Sequence, residues 1–461
     1  MASGGQPSTS SRMARQNNVP AQVIISMTTP WQQFMRMESS AGVALIVMAL
    51  LAFAWANSPF AESYFAMKEA TFGFQLGGFE LKKDLAHWVN DGLMAIFFFV
   101  VGLEIKRELL VGELAGVKRA AFPAAGALGG MIVPALIYVA FTFGTEGISG
   151  WGVPMATDIA FAVGILALLG ERAPLGLKVF LLALAIVDDL GAIMVIALFY
   201  TADLQMNMLI ISFAIWGAAL FYGAAGGTKP VVFVALGAVV WYFMLKSGVH
   251  ATIAGVLMAI AVPLHHGMSG KELREHLDNC VTHGGFEHLE MQIQRLDDIL
   301  DLAHSPLHRM EHALLPWVSY FIMPLFALFN AGVQVFGAEG QLLGLISLGA
   351  AFGLLIGKPV GVFLFAFAAV KLGITQLPRG VDWAGIVGVG FLAGIGFTMS
   401  LFIAELAFAT PAQLDQAKIG VLCASVISAI VGYGYLQTVL RVKDEAETAP
   451  AGKISAPKPA E

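Results

Sequence analysis

Apolar segments of membrane-spanning length restrict the fold of this chain more than any other feature of its sequence. An α-helix rises about 1.5 Å per residue, so about 20 apolar residues cross the roughly 30 Å hydrocarbon core of a bilayer. The 461 residues are 57% hydrophobic and only 13% charged, which excludes an ordinary soluble domain. We predict an all-α polytopic membrane protein with about twelve transmembrane helices, at approximately residues 38–57, 85–108, 120–144, 151–170, 176–200, 206–226, 229–246, 248–264, 313–336, 341–371, 382–409 and 412–440.

The distribution of lysine and arginine between successive loops predicts the orientation of the chain. Cytoplasmic loops of membrane proteins carry an excess of these two residues. If both termini are cytoplasmic, 20 of the 26 lysines and arginines lie on the inner side, and Lys358 lies inside a segment. The remaining five are assigned to the outer side: Lys68, Lys82, Lys83, Lys246 and Lys418. We therefore expect a multi-pass protein with both termini in the cytoplasm.

Polar stretches flank or interrupt the apolar segments. Residues 1–30 and 443–461 lack apolar runs and are predicted to be disordered tails on either side of a transmembrane domain at 31–442. The long inner loop 265–308 has apolar residues at the spacing of one helix face, which predicts a cytoplasmic amphipathic helix; they are Phe286, Leu289, Ile293, Leu296 and Leu300. Alternation in the first outer loop, 71–82, predicts a small β-hairpin, the alternative being an ordinary loop.

Two adjacent aspartates lie in the middle of the apolar run from Leu181 to Phe199. A charged side chain at the centre of a membrane helix costs about 2.5–3.5 kcal/mol on insertion scales. Stability does not require Asp188 and Asp189 here, so we expect them to handle a cation, a proton, or both in turn. Lys358 also lies deep in a segment, and we expect it to pair with one of the two aspartates.

Two further segments have features of helices that are broken inside the membrane. Pro154 cannot continue a helix, and Thr157 or Asp158 can cap a second half-helix that starts beside them. The run GVGFLAGIGFTMS, which contains Gly394 and Gly396, predicts a second break, although close helix packing also explains its glycines. Interrupted segments in corresponding halves of a chain mark the binding site of many transporters.

Seven runs of the sequence form a distinctive set: NDGLMAIFFFVVGLEIKREL (90–109), WGVPMATDIAFAVGILALLG (151–170), LAIVDDLGAI (184–193), SGVHATIAGV (247–256), LFNAGV (328–333), GKPVG (357–361) and GFLAGIGFTMS (390–400). Together they resemble the NhaA family of sodium–proton antiporters over about residues 30–440. The resemblance implies inverted repeats whose two broken helices cross near the membrane midplane. It also implies a homodimer formed through the outer hairpin 71–82, in the bacterial inner membrane.

By this resemblance, Asp188 and Asp189 form the cation and proton site, with Thr157, Asp158 and Lys358 at the helix crossing beside it. Asp91 and Glu104 match acidic positions of a cavity, and His250, Arg309, Glu311 and His312 match positions linked to the pH response. The two tails and the enlarged inner loop depart from the family pattern, and none of them removes a site residue.

The expected function is secondary active transport that exchanges cytoplasmic Na⁺ or Li⁺ for external protons, is electrogenic and is activated by rising pH. A carboxylate binds either a hard cation or a proton, so the two ions compete for one group. Adjacent helical residues point about 100° apart, so we predict Asp189 as the principal Na⁺ ligand and proton carrier, with Asp188 facing Lys358. We expect no enzymatic activity, no cofactor and no nucleic acid; the partners are Na⁺, Li⁺, H⁺ and the lipid bilayer.

Three other functions compete with this interpretation. An intramembrane aspartyl protease also has two aspartates in its spans, but they lie on different helices and share one proton. A passive sodium channel does not need the lysine. A proton-coupled solute carrier needs a larger polar pocket than this sequence indicates.

Overall fold

The computed structural model describes residues 40–76, 79–201, 204–264, 305–335, 343–378 and 380–448. Helices dominate this part of the chain, and its one sheet has two strands, so the predicted all-α membrane architecture is confirmed. We number the helices in chain order: α1 (Ser40–Ala56), α2 (Ala61–Glu69), α3 (Leu85–Leu110), α4 (Val117–Thr142), α5 (Ile159–Ala167), α6 (Leu175–Phe199), α7 (Met206–Ala224), α8 (Pro230–Ser247), α9 (Ile253–Ala261), α10 (Pro306–Asn330), α11 (Leu345–Lys371), α12 (Trp383–Ala393), α13 (Phe397–Ala407) and α14 (Pro411–Thr448).

Long apolar helices account for most of the predicted membrane spans within the described residues. Eight helices are long and apolar enough to span a membrane, and three bent helix pairs bring the number to eleven at most. The predicted segment 248–264 contains only α9, whose nine residues rise about 13.5 Å and cross less than half of the hydrocarbon core. The turn before it, residues 248–252, is not helical, so the helix is shorter than the apolar segment that contains it.

The outer hairpin is present as predicted. Strands β1 (Thr71–Leu76) and β2 (Phe79–Asp84) pair antiparallel, with Leu76 opposite Phe79. The indole of Trp88 on α3 donates a hydrogen bond of 2.9 Å to the carbonyl of Phe72. This bond attaches the hairpin to the N-terminal end of α3, and residues 77 and 78 between the strands lie outside the described residues.

Both predicted helix breaks are present. The 3₁₀ segment Glu146–Met155 and α5 meet at an angle of 41°, and α12 and α13 meet at 47°. The two interruptions touch each other, because the amide of Asp158 donates a hydrogen bond of 2.7 Å to the carbonyl of Ile395. The chain therefore carries two broken helices that cross at their breaks. That the two halves are inverted repeats of each other stays a prediction.

Close glycine packing brings α11 to this crossing. A Cβ at Gly129 on α4 would overlap the carbonyl oxygen of Gly361 on α11, and one at Gly361 would overlap that of Gly129. Only glycine allows the two backbones to approach this closely. This contact holds α11 against α4. A Cβ at Gly390 on α12 would lie 2.7 Å from Cα of Pro359, so the α11 turn that carries Lys358 also packs on the second broken helix.

Several predicted features lie outside the described residues. These are the N-terminal tail 1–30, the amphipathic helix of loop 265–308 up to residue 304, and the C-terminal tail beyond residue 448. The last helix, α14, continues to Thr448, six residues into the tail predicted to start at 443. Its end carries charged residues that a solvated helix accommodates as easily as a tail does.

Candidate functional site

A buried ion pair joins α6 and α11 at the centre of the protein. Lys358 and Asp188 are both fully buried, and the ammonium of Lys358 bonds Oδ2 of Asp188. Lys358 Nζ also donates to Oγ1 of Thr157 over 3.0 Å. The Thr157 hydroxyl lies 2.6 Å from Asp188 Oδ2 and 2.9 Å from the carbonyl of Ala393, and its single proton bonds one of them. Of the two predicted partners for Lys358, the structure selects Asp188.

Asp189 faces a different environment from that of its neighbour. Its side chain is buried, and four charged groups act on it: Asp188, Glu104 and Asp158, which are acidic, and Lys358, which is basic. Among the described residues, Oδ1 of Asp188 and Oδ1 of Asp189 have no hydrogen-bond partner. Buried polar atoms in native proteins are normally satisfied. Two such oxygens on adjacent residues are therefore available to a cation or a proton.

Asp158 connects the two broken helices. Its Oδ1 accepts a bond of 3.0 Å from the amide of Phe161 in the first turn of α5. Its Oδ2 accepts 3.1 Å and 2.5 Å bonds from the amide and the hydroxyl of Thr398 in the first turn of α13. Helix N-termini carry positive partial charge, so a single carboxylate compensates both. Lys358 makes its bonds to Asp188 and Thr157 and does not bond Asp158.

Gly394 and Gly396 lie in the second break, where their lack of a side chain leaves room for neighbouring helices. A Cβ at Gly394 would lie 2.6 Å from the carbonyl oxygen of Leu354 on α11, and one at Gly396 would overlap Oγ of Ser400 on α13. The glycines therefore serve close packing as well as the break, and both alternatives for this run hold.

The remaining predicted residues lie outside this cluster. Asp91 lies beside the hairpin, where its carbonyl accepts a bond of 3.0 Å from the indole of Trp241. His250 Nε2 lies 2.5 Å from the carbonyl of Tyr200. Among the described residues, no hydrogen bond or ion pair joins Asp91 or His250 to Asp188 or Asp189.

A separate charged cluster contains Glu311. Arg107 on α3 forms ion pairs of 2.9 Å with Glu108 and 3.2 Å with Glu311. The charge of Glu311 acts on Glu104, and the charge of Glu104 acts on Asp189. Two other residues of the predicted group make contacts elsewhere: the guanidinium of Arg309 donates a bond of 3.5 Å to the carbonyl of Thr228, and the His312 ring contacts that of His308.

Comparison with known proteins assigns this arrangement to a family. The family model described as Na⁺/H⁺ antiporter 1 matches residues 32–436. The chain belongs to this antiporter family. It is 49% identical to the Na⁺/H⁺ antiporter NhaA of Oleidesulfovibrio alaskensis over 438 residues, 92% of this chain and 97% of that protein. It is 47% identical to the NhaA of Vibrio campbellii over 91% of this chain and 97% of the relative, and 46% identical to that of Koribacter versatilis over 90% and 92%.

Family membership and geometry agree against the protease alternative. Both aspartates come from α6, and one of them is paired with a buried lysine. A protease dyad requires two carboxylates from different helices with one shared proton. The antiporter family and the membrane-spanning helices together make this chain a multi-pass membrane transporter and not an enzyme.

Three polar contacts near the site were missed by the sequence reasoning. Thr398 bonds Asp158 with both its amide and its hydroxyl. Lys418, assigned to an outer loop, is buried within α14 and paired with Glu405 of α13 at 2.6 Å. Ser425 of α14 accepts a bond from the first amide of α13. The signal for the ion pair was available, because Glu405 interrupts the apolar run LFIAELAF and Lys418 follows it within fifteen residues.

Proposed function

We propose that this chain exchanges Na⁺ for H⁺ across a membrane, with Asp189 as the principal cation ligand and proton carrier. The observation that carries the proposal is the pair of buried, adjacent carboxylates, each with one oxygen that lacks a hydrogen-bond partner among the described residues. They lie where the two broken helices cross. Asp188 Oδ1 and Asp189 Oδ1 would supply the charged ligands to the cation.

Competition for these carboxylates couples the two ions. Sodium, a hard cation, prefers oxygen ligands, and a protonated carboxyl group has lost the charge that attracts it. An antiporter must therefore release a proton from the site before Na⁺ binds, and release Na⁺ before the proton returns. Rocking of one helix bundle against the other would expose the loaded site to each side in turn.

Lys358 gives Asp188 a second role in this cycle. In the structure the ammonium neutralises Asp188 and occupies its Oδ2. A cation that binds between the two aspartates competes with this ammonium for the negative charge of Asp188. We propose that two titrating groups are exchanged against one cation, which makes transport electrogenic. Li⁺, smaller and equally hard, would use the same ligands.

The residues outside the crossing would guide ions and set the response to pH. Asp91 and Glu104 each present a carboxylate on α3, and Glu104 lies within electrostatic range of Asp189. We propose them as acidic groups along the cation path. Arg309, Glu311, His312 and His250 would carry the activation by rising pH, because the charge of Glu311 acts on Glu104.

The setting of the protein follows from its charge distribution and from the hairpin. We propose a bacterial inner-membrane protein with both termini cytoplasmic, since 20 of 26 lysines and arginines lie on the side of the termini. Transport would be carried by residues 31–442, with Na⁺ or Li⁺ moving out and protons moving in. Two copies would associate through residues 71–82, because an isolated two-stranded hairpin is marginally stable and gains from pairing.

The test measures sodium-induced collapse of a preformed proton gradient in everted membrane vesicles, over a mildly acidic to mildly alkaline pH series. Wild type, Asp189→Asn and the control Glu113→Gln, which removes an exposed carboxylate, are compared at equal expression. We expect collapse that increases with pH in wild type and control and is absent in Asp189→Asn. An undiminished response of Asp189→Asn would move the carrier to Asp188 or Asp158. No response of wild type at any pH would refute sodium–proton exchange.

A further inference from the structure

Helix α14 holds the half-helix α13 at both of its ends. At the N-terminal end of α13, Oγ of Ser425 accepts a bond of 3.1 Å from the amide of Phe397, its first residue. At the other end, Nζ of Lys418 donates to Oε1 of Glu405 over 2.6 Å. Seven residues of α14 and eight of α13 separate the two contacts, about 10.5 Å and 12 Å along the respective axes. Two polar contacts at matched spacing fix the position of α13 along α14.

Stability does not explain the ion pair between Lys418 and Glu405. The Lys418 side chain is 2% exposed and that of Glu405 is 20% exposed, so the pair has lost most of its hydration. Replacing such a pair with packed apolar residues is often neutral or stabilising. Other charges act on this pair. Those of Lys68 on α2 and His87 at the start of α3 act on Glu405, and that of Asp415 on α14 interacts with both Glu405 and Lys418. Compared with apolar packing, an ion pair adds one defined position of α13 along α14, which we call the register of α13.

The register of α13 reaches the buried aspartates through a short series of contacts. The first turn of α13 holds the Asp158 carboxylate with the amide and hydroxyl of Thr398. Thr157 precedes Asp158 in the chain, and its hydroxyl lies 2.6 Å from Asp188 Oδ2. A displacement of α13 along its axis therefore pulls on Asp158 and on the Thr157 hydroxyl beside Asp188.

We infer that Glu405 and Lys418 are positioning residues that set the affinity for Na⁺ by fixing α13 against α14. This inference rests on the proposed exchange of Na⁺ at Asp188 and Asp189. Neither residue touches the cation. They act through α13, Thr398 and Asp158.

The experiment measures the apparent KM for Na⁺, the maximal exchange rate and the melting temperature of the purified full-length protein in proteoliposomes. Four variants are compared with wild type: Lys418→Met, Lys418→Arg, the double variant Glu405→Leu with Lys418→Met, and Asp415→Asn. Lys418→Met removes the pair and leaves Glu405 charged, whereas the double variant replaces the pair with apolar side chains. Asp415→Asn is the matched control, because it removes a charge that acts on Lys418 without removing the ion pair.

We expect Lys418→Met to raise KM about threefold or more, the range for residues that act through intervening contacts, with a lower melting temperature. The double variant should regain the melting temperature but keep the raised KM, since it has no unpaired buried charge and no defined register. Lys418→Arg and Asp415→Asn should resemble wild type in KM.

Two results would overturn the inference while leaving the proposed function intact. One is a normal KM in Lys418→Met. The other is recovery of KM together with melting temperature in the double variant, which would make the pair a structural contact only. Absence of exchange in wild type would instead refute the proposed function itself, so the two failures are distinguishable.

Discussion

Removing the ammonium of Lys358 leaves Asp188 as a buried carboxylate without its positive partner. Lys358→Met keeps the length of the side chain and removes its charge, and both partners of the ion pair are fully buried. Breaking a buried pair by removing one partner costs about 3–5 kcal/mol, because the remaining charge is uncompensated. Among the described residues, the hydroxyl of Thr157 is the one other hydrogen-bond partner of the Asp188 side chain, and it compensates only a small part of the lost charge.

A double-mutant cycle measures this coupling. We expect Lys358→Met to lower the melting temperature of the detergent-purified protein strongly, and Lys358→Met combined with Asp188→Asn to recover a large part of the loss. The reason is that the asparagine is neutral, so the double variant buries no unpaired charge.

The pH dependence supplies an independent check with a defined sign. An orphaned Asp188 can become neutral by binding a proton, and low pH favours that form. The difference in melting temperature between wild type and Lys358→Met should therefore shrink as pH falls and grow as pH rises. Additive effects in the cycle, or a difference that grows on acidification, would refute the pairing of Lys358 with Asp188 as its physical basis.

Three further predictions follow from the site and the hairpin. Asp158→Ala should lower the free energy of unfolding by about 1–4 kcal/mol, because two helix caps are lost at about 0.5–2 kcal/mol each. Asp158→Asn should lower it less. Thermal denaturation of the two variants checks this order, and equal losses of stability would contradict it. The apparent KM for Na⁺ should fall as pH rises in wild type, because protons compete with Na⁺ for the same carboxylates. Titrations of the exchange rate with sodium in proteoliposomes check the sign, and a KM independent of pH would exclude direct competition. Replacing residues 72–83 with a short linker should convert a dimer into a monomer and leave exchange intact. Light scattering coupled to size-exclusion chromatography measures the mass, and an unchanged mass would exclude the hairpin as the dimer contact.

Local sequence patterns predicted the elements of this protein well. The hydrophobic runs gave most of the spans, the alternation around residues 77 and 78 predicted two paired strands, and Pro154 marked the first helix break. Each of these features is decided within a few residues, by helix length, by side-chain alternation or by a missing amide proton. At α9 an apolar run of spanning length contains a helix of only nine residues, so the run did not predict the length of the helix within it.

The position of the candidate site was also visible in the sequence, since charged residues are rare in apolar runs and cannot be there for stability. Asp158, Asp188 and Lys358 make contacts at the crossing, and Asp189 follows Asp188 on α6; that these residues bind the cation and the proton stays a prediction. Glu405 was overlooked and Lys418 was assigned to an outer loop because each lies near the end of its helix, where a charge can reach water.

The sequence by itself determined a polytopic membrane protein with two interrupted helices and a pair of buried carboxylates. Only the tertiary structure decided which groups meet. Lys358 pairs with Asp188 across 170 residues, and Thr398 bonds Asp158 across 240. The choice between adjacent aspartates depends on the rotation of α6 about its axis, where one residue changes direction by about 100°. That rotation is set by packing against α4, α5 and α12, and no local pattern encodes it.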